Sequence, residues 1–136
     1  MRFLIFFFFF FLWQILIAQE TYIPTKINEN EVTLDGLLSE KIWKDATKIP
    51  LDIEFSPANN LQANKKTTAY ISYSDTFLFI AVHAEDDPKN IRASIRPRDD
   101  FNIWNDDLIL VRLDPFADAR NNLAIAVNAL GSQFDL

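Results

Sequence analysis

Two strand-like segments separated by three residues constrain the fold more than any other part of this chain. Thr68 to Tyr73 has the alternating pattern of a half-buried strand, whereas Phe77 to Ala84 is almost continuously apolar. A continuous apolar run of this length favours a strand that is buried on both faces. The residues between them, Ser74 to Thr76, are few enough to form a hairpin turn. The pair therefore predicts an antiparallel sheet.

More short strands surround this hairpin, with little helix between them. Leu108 to Leu113 and Leu123 to Val127 have a period of two, and Val32 to Leu34 is predicted as a short strand. The pattern predicts an all-β fold, an antiparallel β-sandwich of jelly-roll type with one short helix. Because the chain stops at Leu136 inside a further apparent strand, we expect the sandwich to be incomplete at its C-terminus.

The one predicted helix follows an Asp-Gly turn that ends at Gly36. Glycine takes a positive φ without a Cβ clash, so it suits a tight turn. Ser39 is predicted to open the helix and to cap the amides of its first turn. Leu38, Ile42 and Trp43 fall at helical spacing and predict one apolar face against a sheet. Trp43 is therefore predicted to be a core residue.

The N-terminal segment has the form of a secretory signal peptide. An apolar run from Phe3 to Ile17 follows Arg2, and it is shorter than the roughly 20 apolar residues of a comfortable membrane span. We predict a signal peptide over 1–18, an extended leader over 19–30 and one β-sandwich domain over 31–136. An uncleaved anchor is the alternative. The protein is expected to be exported, and to be periplasmic, associated with the outer membrane or extracellular.

Charge and composition disfavour several classes of function. The net charge is −6, and it falls to about −7 when Arg2 leaves with the leader, which disfavours nucleic acid and anionic membranes as partners. Membrane contact is expected only through the signal peptide or a missing C-terminal region. Zero cysteines exclude a disulfide framework, and a single histidine makes a His- or Cys-based zinc site implausible. Without cysteine or a Gly-x-Ser-x-Gly motif, the chain is predicted not to be an enzyme.

Aspartates are dense in the second half of the chain, close to the predicted strand ends. Carboxylates are hard oxygen ligands of the kind that calcium prefers. The candidate calcium ligands are Asp99, Asp107, Asp114 and Asp118. Their spacing does not match an EF-hand loop. Solvated carboxylates paired with Arg96, Arg98 and Arg120 are the alternative interpretation.

Trp104 is the aromatic residue most suited to binding a ligand, because it lies in a polar segment. An indole can stack on the apolar face of a sugar ring while neighbouring amides and carboxylates bond the hydroxyls. Trp104, Asn105 and Asp106 are therefore the candidate sugar-binding residues. The alternative is a tryptophan that folds back over the edge of the sheet.

Several short motifs follow one another in a characteristic order. They are Leu34-Asp35-Gly36, Glu40 with Trp43, the hairpin from Tyr73 to Asp86, Arg98-Asp99, Asp106-Asp107, Leu113-Asp114, and Asn128 with Gly131 and Asp135. With these motifs in this order, the chain from about Ile27 to Leu136 resembles the family 9 carbohydrate-binding modules. The resemblance is strongest to the diverged version that opens large exported bacterial proteins. It implies a β-sandwich, often with calcium, that holds sugar ends between two tryptophans. Trp104 matches one of them, and the other would fall beyond Leu136.

The predicted function is non-catalytic carbohydrate binding that targets a larger exported protein to polysaccharide. Carbohydrate and a downstream domain of the same protein are the expected partners. The resemblance links such modules to polysaccharide breakdown and to hydrolysis of O-glycosyl compounds by the parent protein. The alternative is a structural or interaction domain that binds no sugar and packs on a downstream β-barrel or another partner. Glycoside hydrolysis by paired carboxylates is disfavoured, because no carboxylate lies in a recognisably apolar pocket sequence.

Overall fold

The computed structural model describes residues 20–57 and 60–136, and this part of the chain is all-β with one short α-helix. The strands are β1 (Thr25–Lys26), β2 (Thr47–Pro50), β3 (Ile53–Glu54), β4 (Leu61–Gln62), β5 (Thr67–Tyr73), β6 (Leu78–Ala84), β7 (Leu108–Leu113), β8 (Leu123–Asn128) and β9 (Gln133–Asp135). Helix α1 spans Lys41–Asp45, and 3-10 helices span Glu29–Glu31 and Phe101–Asn105. The predicted signal peptide over 1–18 lies outside the described residues. None of the helices in the described ranges has the length and apolar character needed to cross a membrane.

The strands form three sheets. In the first sheet, β6 pairs antiparallel with β5 along its whole length, which confirms the predicted hairpin. On the other edge of β5, β2 pairs antiparallel, with Thr47 opposite Ile71, and β1 pairs parallel, with Thr25 opposite Ser72. β3 and β4 form a separate hairpin, and the third sheet has the antiparallel order β7-β8-β9. The all-β prediction is confirmed, and the sandwich arrangement stays a prediction.

Helix α1 covers the first sheet. Ile42, Trp43 and Ala46 are buried against Tyr70 and Phe79, so the predicted apolar face and the core position of Trp43 are confirmed. Burial of one large aromatic side chain contributes a few kcal/mol, so we expect the Trp43 contact to be the main source of stability in this region.

The start of α1 differs from the prediction. The helix begins at Lys41 after Glu40, and no side chain caps it, so the predicted Ser39 cap is wrong. Glu40 is extended, and its carboxylate bridges two segments: it accepts hydrogen bonds from the Thr33 N–H at 2.9 Å and from the Trp43 indole N–H at 3.1 Å. Its own backbone N–H and that of Thr33 lower the pKa of Glu40.

The third sheet has a smaller core. Ile103 of the second 3-10 helix packs with Ala126 and Phe134, and Leu108 lies at the edge of this cluster. β8 alternates strictly, with its even-numbered residues buried on this side and its odd-numbered residues exposed on the other. The third sheet is therefore apolar on both faces but covered by the 3-10 helix on only one.

Several short elements were predicted wrongly. Val32 to Leu34 is not a strand. The sequence predicts a helix that ends near Lys48, where β2 begins at Thr47, and a surface loop from Ser56 to Lys66, inside which β4 forms. No residue of Phe77 to Ala84 is fully buried, contrary to the prediction for the continuous apolar run. Within the described residues β6 pairs only with β5, and its other side borders a cleft of about 1050 Å³. The apolar run therefore faces an open cleft.

Candidate functional site

Two aromatic side chains project from the 3-10 helix over the third sheet. Trp104 is 44% exposed and Phe101 is 73% exposed, whereas Ile103 between them is buried. A 3-10 helix has three residues per turn, so side chains at positions i and i+3 lie on the same side. Phe101 and Trp104, here called the aromatic pair, therefore share the outer side of the helix while Ile103 anchors its inner side.

Phe134 of β9 supports the aromatic pair from below. Its ring centroid lies 5.0 Å from that of Phe101 and 5.7 Å from that of Trp104, with interplanar angles of 70° and 68°. Edge-to-face contacts at these distances are favourable and restrict ring orientation. The pair is exposed but held in place by a buried residue. Sequence reasoning missed Phe101, although its spacing of three residues from Trp104 was a usable signal.

Asp100 fixes the beginning of the 3-10 helix. Its Oδ1 accepts hydrogen bonds from the backbone N–H of Asn102 at 2.9 Å and from the Asn102 side chain at 2.7 Å. These bonds lower the pKa of Asp100, so the carboxylate is ionised at neutral pH. Asn105 closes the turn by donating from Nδ2 to the Asn102 carbonyl at 3.2 Å. The amide side chains next to the aromatic pair are thus oriented by the helix itself.

Asp106 fixes the end of the helix, because its side chain is only 4% exposed and points inward. The Arg96 guanidinium donates two hydrogen bonds of 2.9 Å to its carboxylate, one to each oxygen. Asn128 Nδ2 at 2.8 Å and the Ser94 N–H at 3.1 Å also donate to Oδ2. The Arg96 bonds chiefly, and then those from Asn128 and Ser94, hold the pKa of Asp106 far below its ordinary value.

Asn128 extends these contacts to the turn between β8 and β9. Its Oδ1 accepts the N–H groups of Leu130 and Ser132, each at 3.0 Å. Ser132 Oγ in turn accepts the N–H of Arg96 at 2.8 Å. We call Arg96, Asp106, Asn128 and Ser132 the polar network. It joins three segments that are distant in sequence and places the 3-10 helix on the third sheet.

The three predicted sugar-binding residues are consecutive in the sequence, but their side chains do not all face solvent. Trp104 and Asn105 are exposed, whereas Asp106 is committed to the polar network through both carboxylate oxygens. A role for Asp106 in orienting the helix follows directly from these contacts. Sugar binding by the three residues stays a prediction.

The four predicted calcium ligands are separated into different contacts. Asp107 pairs with Arg92 at 3.2 Å, and Asp99 Oδ1 accepts the N–H of Asp135 at 3.1 Å. Asp114 and Asp118 accept backbone N–H groups of their own loop, which lower the pKa of each. In the ranges that the structure describes, no three His, Cys, Asp or Glu side chains are grouped as metal ligands. Calcium binding stays a prediction.

The cleft beside β6 is chemically different from the aromatic pair. Leu34, Leu37, Leu38 and Leu78 contribute to its lining, together with other apolar side chains of β6. Sugar hydroxyls need polar partners, since an unpaired buried hydroxyl costs free energy. Because the polar side chains of Thr33, His83 and Gln133 also line the cleft, its mixed lining does not single out an apolar occupant.

No family model, no curated protein and no solved structure matches the chain. The resemblance to family 9 carbohydrate-binding modules stays a prediction.

Proposed function

We propose that this chain is a non-catalytic carbohydrate-binding domain of an exported protein, with Trp104 as the stacking residue. The observation that carries the proposal is the half-exposed indole of Trp104, held against buried Phe134 on a 3-10 helix that is fixed at both ends. Binding sites gain affinity when their contacts are fixed in advance, because less side-chain entropy is lost when the ligand binds.

The surroundings of Trp104 favour a sugar over other flat ligands. Asn102 and Asn105 lie within two residues of Trp104 and are exposed, and although each amide nitrogen already donates one hydrogen bond, to Asp100 and to the Asn102 carbonyl, their amide oxygens can accept from hydroxyl groups. An indole face with adjacent amides therefore offers the apolar and polar contacts that the two aspects of a pyranose ring need.

The proposed domain binds sugar, and any catalysis belongs to another part of the protein. Asp106, the carboxylate next to Trp104, is held ionised by Arg96 and turned away from solvent, so it is not available as a general acid. Asp100 is also held ionised by its contacts with Asn102. A domain of this kind would place an exported protein on polysaccharide, including one that breaks glycosidic bonds elsewhere in its chain.

Calorimetric titration with neutral oligosaccharides tests the proposal. Xylo- and cello-oligosaccharides are titrated into the protein and into a Trp104→Ala variant, each in calcium and in EDTA. We expect saturable binding that Trp104→Ala abolishes. Phe116→Ala is a matched control, since Phe116 is a strongly exposed aromatic residue on a different loop. Absence of heat with every sugar, from a protein that circular dichroism shows to be folded, would contradict sugar binding.

An interaction domain is the second candidate function, and a separate surface favours it. The outer side of the third sheet carries six aliphatic side chains, here called the aliphatic face: Ile109, Val111, Leu113, Leu123, Ile125 and Val127. The three residues of β8 are between 36% and 47% exposed, and the three residues of β7 are partly buried. Contiguous exposed apolar surface of this kind is typical of a region that packs against another protein surface.

Sedimentation and sugar titration together separate the two candidates. Ile125→Ser would reduce association if the aliphatic face packs against a partner or another copy, and it would leave sugar binding unchanged. Thr76→Ser is the control for nonspecific effects of introducing a serine, because Thr76 lies in the exposed turn between β5 and β6 and is not part of the aliphatic face. If Ile125→Ser removes association and the unsubstituted protein binds no sugar, the results would favour the interaction domain.

A further inference from the structure

We propose that Phe101 and Trp104 form a platform for two adjacent rings of one neutral oligosaccharide. This inference rests on the proposed carbohydrate-binding function, and it names the ligand class as a chain of at least two neutral sugar units. It also assigns a direct ligand contact to Phe101.

The spacing of the two side chains is the first argument. A 3-10 helix rises about 2 Å per residue, so the Cα atoms of Phe101 and Trp104 are separated by about 6 Å along its axis. This distance is comparable with the length of one pyranose unit in a chain. Both rings lie on the outer side of the helix, so consecutive sugar units can follow them in the same order.

Exposure and support provide the second argument. An exposed aromatic ring does not contribute the free energy of folding that its burial would give, and two exposed rings forgo more of it. Both rings nevertheless touch Phe134, which is buried, at centroid distances of 5.0 Å and 5.7 Å. The platform is therefore rigid on its inner side and open on its outer side, which is the arrangement a stacking surface requires.

Charge selects a neutral ligand. Asp100 is ionised beside the helix, and the nearest cation, Arg96, is paired with Asp106 at 2.9 Å and lies 4.0 Å from Asp100. Arg98 is paired with Asp135 at 2.6 Å. An acidic sugar would therefore meet negative charge at the platform while the neighbouring guanidinium groups are already compensated. Neutral hydroxyls would not be repelled by Asp100.

Affinity as a function of ligand length tests this inference. Glucose, cellobiose and cellotetraose are titrated calorimetrically into the protein and into Phe101→Ala, Phe101→Leu and Trp104→Ala variants. Phe101→Leu keeps an apolar contact for Phe134 and removes only the ring, so it remains informative if Phe101→Ala does not fold. Phe116→Ala is the control, because Phe116 is as exposed as Phe101, at 73%.

We expect cellobiose to bind about tenfold more tightly than glucose, which corresponds to about one aromatic contact. Phe101→Leu should remove that increment and leave glucose binding unchanged, while Trp104→Ala should remove binding of all three ligands. If Trp104→Ala abolishes binding but Phe101→Leu retains the full dependence on length, the two-ring platform is wrong and the proposed function stands. If the folded protein binds none of the sugars, the proposed function itself fails.

An acidic disaccharide tests the charge argument in the same titration. A disaccharide that carries a uronic acid should bind at least about tenfold more weakly than cellobiose, since it places a carboxylate near Asp100. Equal affinity for the two disaccharides would overturn the assignment of a neutral ligand.

Discussion

The first and third sheets are each covered by a short helix, but different forces hold the two helices. Helix α1 is held by buried apolar side chains, with Trp43 at the centre. The 3-10 helix buries only Ile103 and rests its aromatic pair on Phe134, and the partly buried charge pair of Arg96 and Asp106 fixes its end. Apolar burial is strong and undirected, whereas a bidentate charge pair contributes less net stability but defines orientation. The region that presents exposed aromatic side chains is the one that uses directional contacts.

The largest expected effect is on the first sheet. Trp43→Ala removes a buried indole and its bond to Glu40, and we expect it to lower the free energy of unfolding by about 3–5 kcal/mol. Urea unfolding followed by far-ultraviolet circular dichroism measures this loss. Trp43→Phe, which keeps a buried ring, should cost much less. A loss near 1 kcal/mol, typical of an average substitution, would show that α1 is not the main source of stability.

The second prediction concerns the polar network. Asp106→Asn removes the charge that compensates Arg96, so it should lower the urea midpoint clearly and loosen the aromatic pair. Asp107→Asn is the matched control, because the neighbouring Asp107 pairs with Arg92 in an exposed contact that should contribute little. Equal midpoints for the two asparagine variants would contradict a special role for the buried pair.

Acid should destabilise the third sheet, because it protonates Asp106. The pKa of Asp106 is lowered in the folded protein, so the folded state favours the ionised carboxylate. Its stabilisation is complete above the ordinary carboxyl pKa of about 3.9, and it is lost as the pH falls from there toward the lowered pKa. Urea midpoints measured from about pH 7 to about pH 3 should therefore fall more steeply in the unmodified protein than in Asp106→Asn. Parallel curves would rule out Asp106 as a main contributor to acid sensitivity.

The smallest expected effect compares one glycine from each region. Gly36 and Gly131 both have φ of +81°, and no atom lies within 4 Å of an added Cβ at either position. Alanine should therefore cost about 1 kcal/mol of backbone strain at each site, and asparagine less. Thermal unfolding of the four variants measures the difference. A larger cost at Gly131 would mean that the turn is coupled to the polar network through Asn128, whose carbonyl accepts the Gly131 N–H.

The long strands were predictable because their periodicity is local. β7 matches its predicted bounds, Leu108–Leu113, and the hairpin of β5 and β6 follows from two strands with a short turn. β1, β3 and β4 contain two residues each, too few to show a period, and they exist because a neighbouring strand supplies their hydrogen bonds. The burial of β6 could not be predicted either, because it depends on whether another element packs beside the edge of β6 that does not pair with β5.

The candidate site was predictable only in part. The polar sequence around Trp104 left open whether the indole stacks on a sugar or folds back over the edge of the sheet, and the indole is 44% exposed while it also lies against Phe134 of the edge strand β9. The same sequence gave no sign that adjacent Asp106 turns inward, because its partners are Arg96, ten residues earlier, and Asn128, twenty-two residues later. A contact between side chains that far apart is set by the sheet register, which no local pattern contains.

The contrasting environments of Trp43 and Trp104 also have a spectroscopic consequence. A buried indole emits at shorter wavelength and is shielded from a soluble quencher, while a half-exposed one emits at longer wavelength and is quenched readily. In a protein without the predicted leader, which carries Trp13, the two regions have separate intrinsic reporters, Trp43 at 5% exposure and Trp104 at 44%. Quenching measured across the emission band during unfolding would therefore reveal whether the two helix-covered sheets lose their structure together or one after the other.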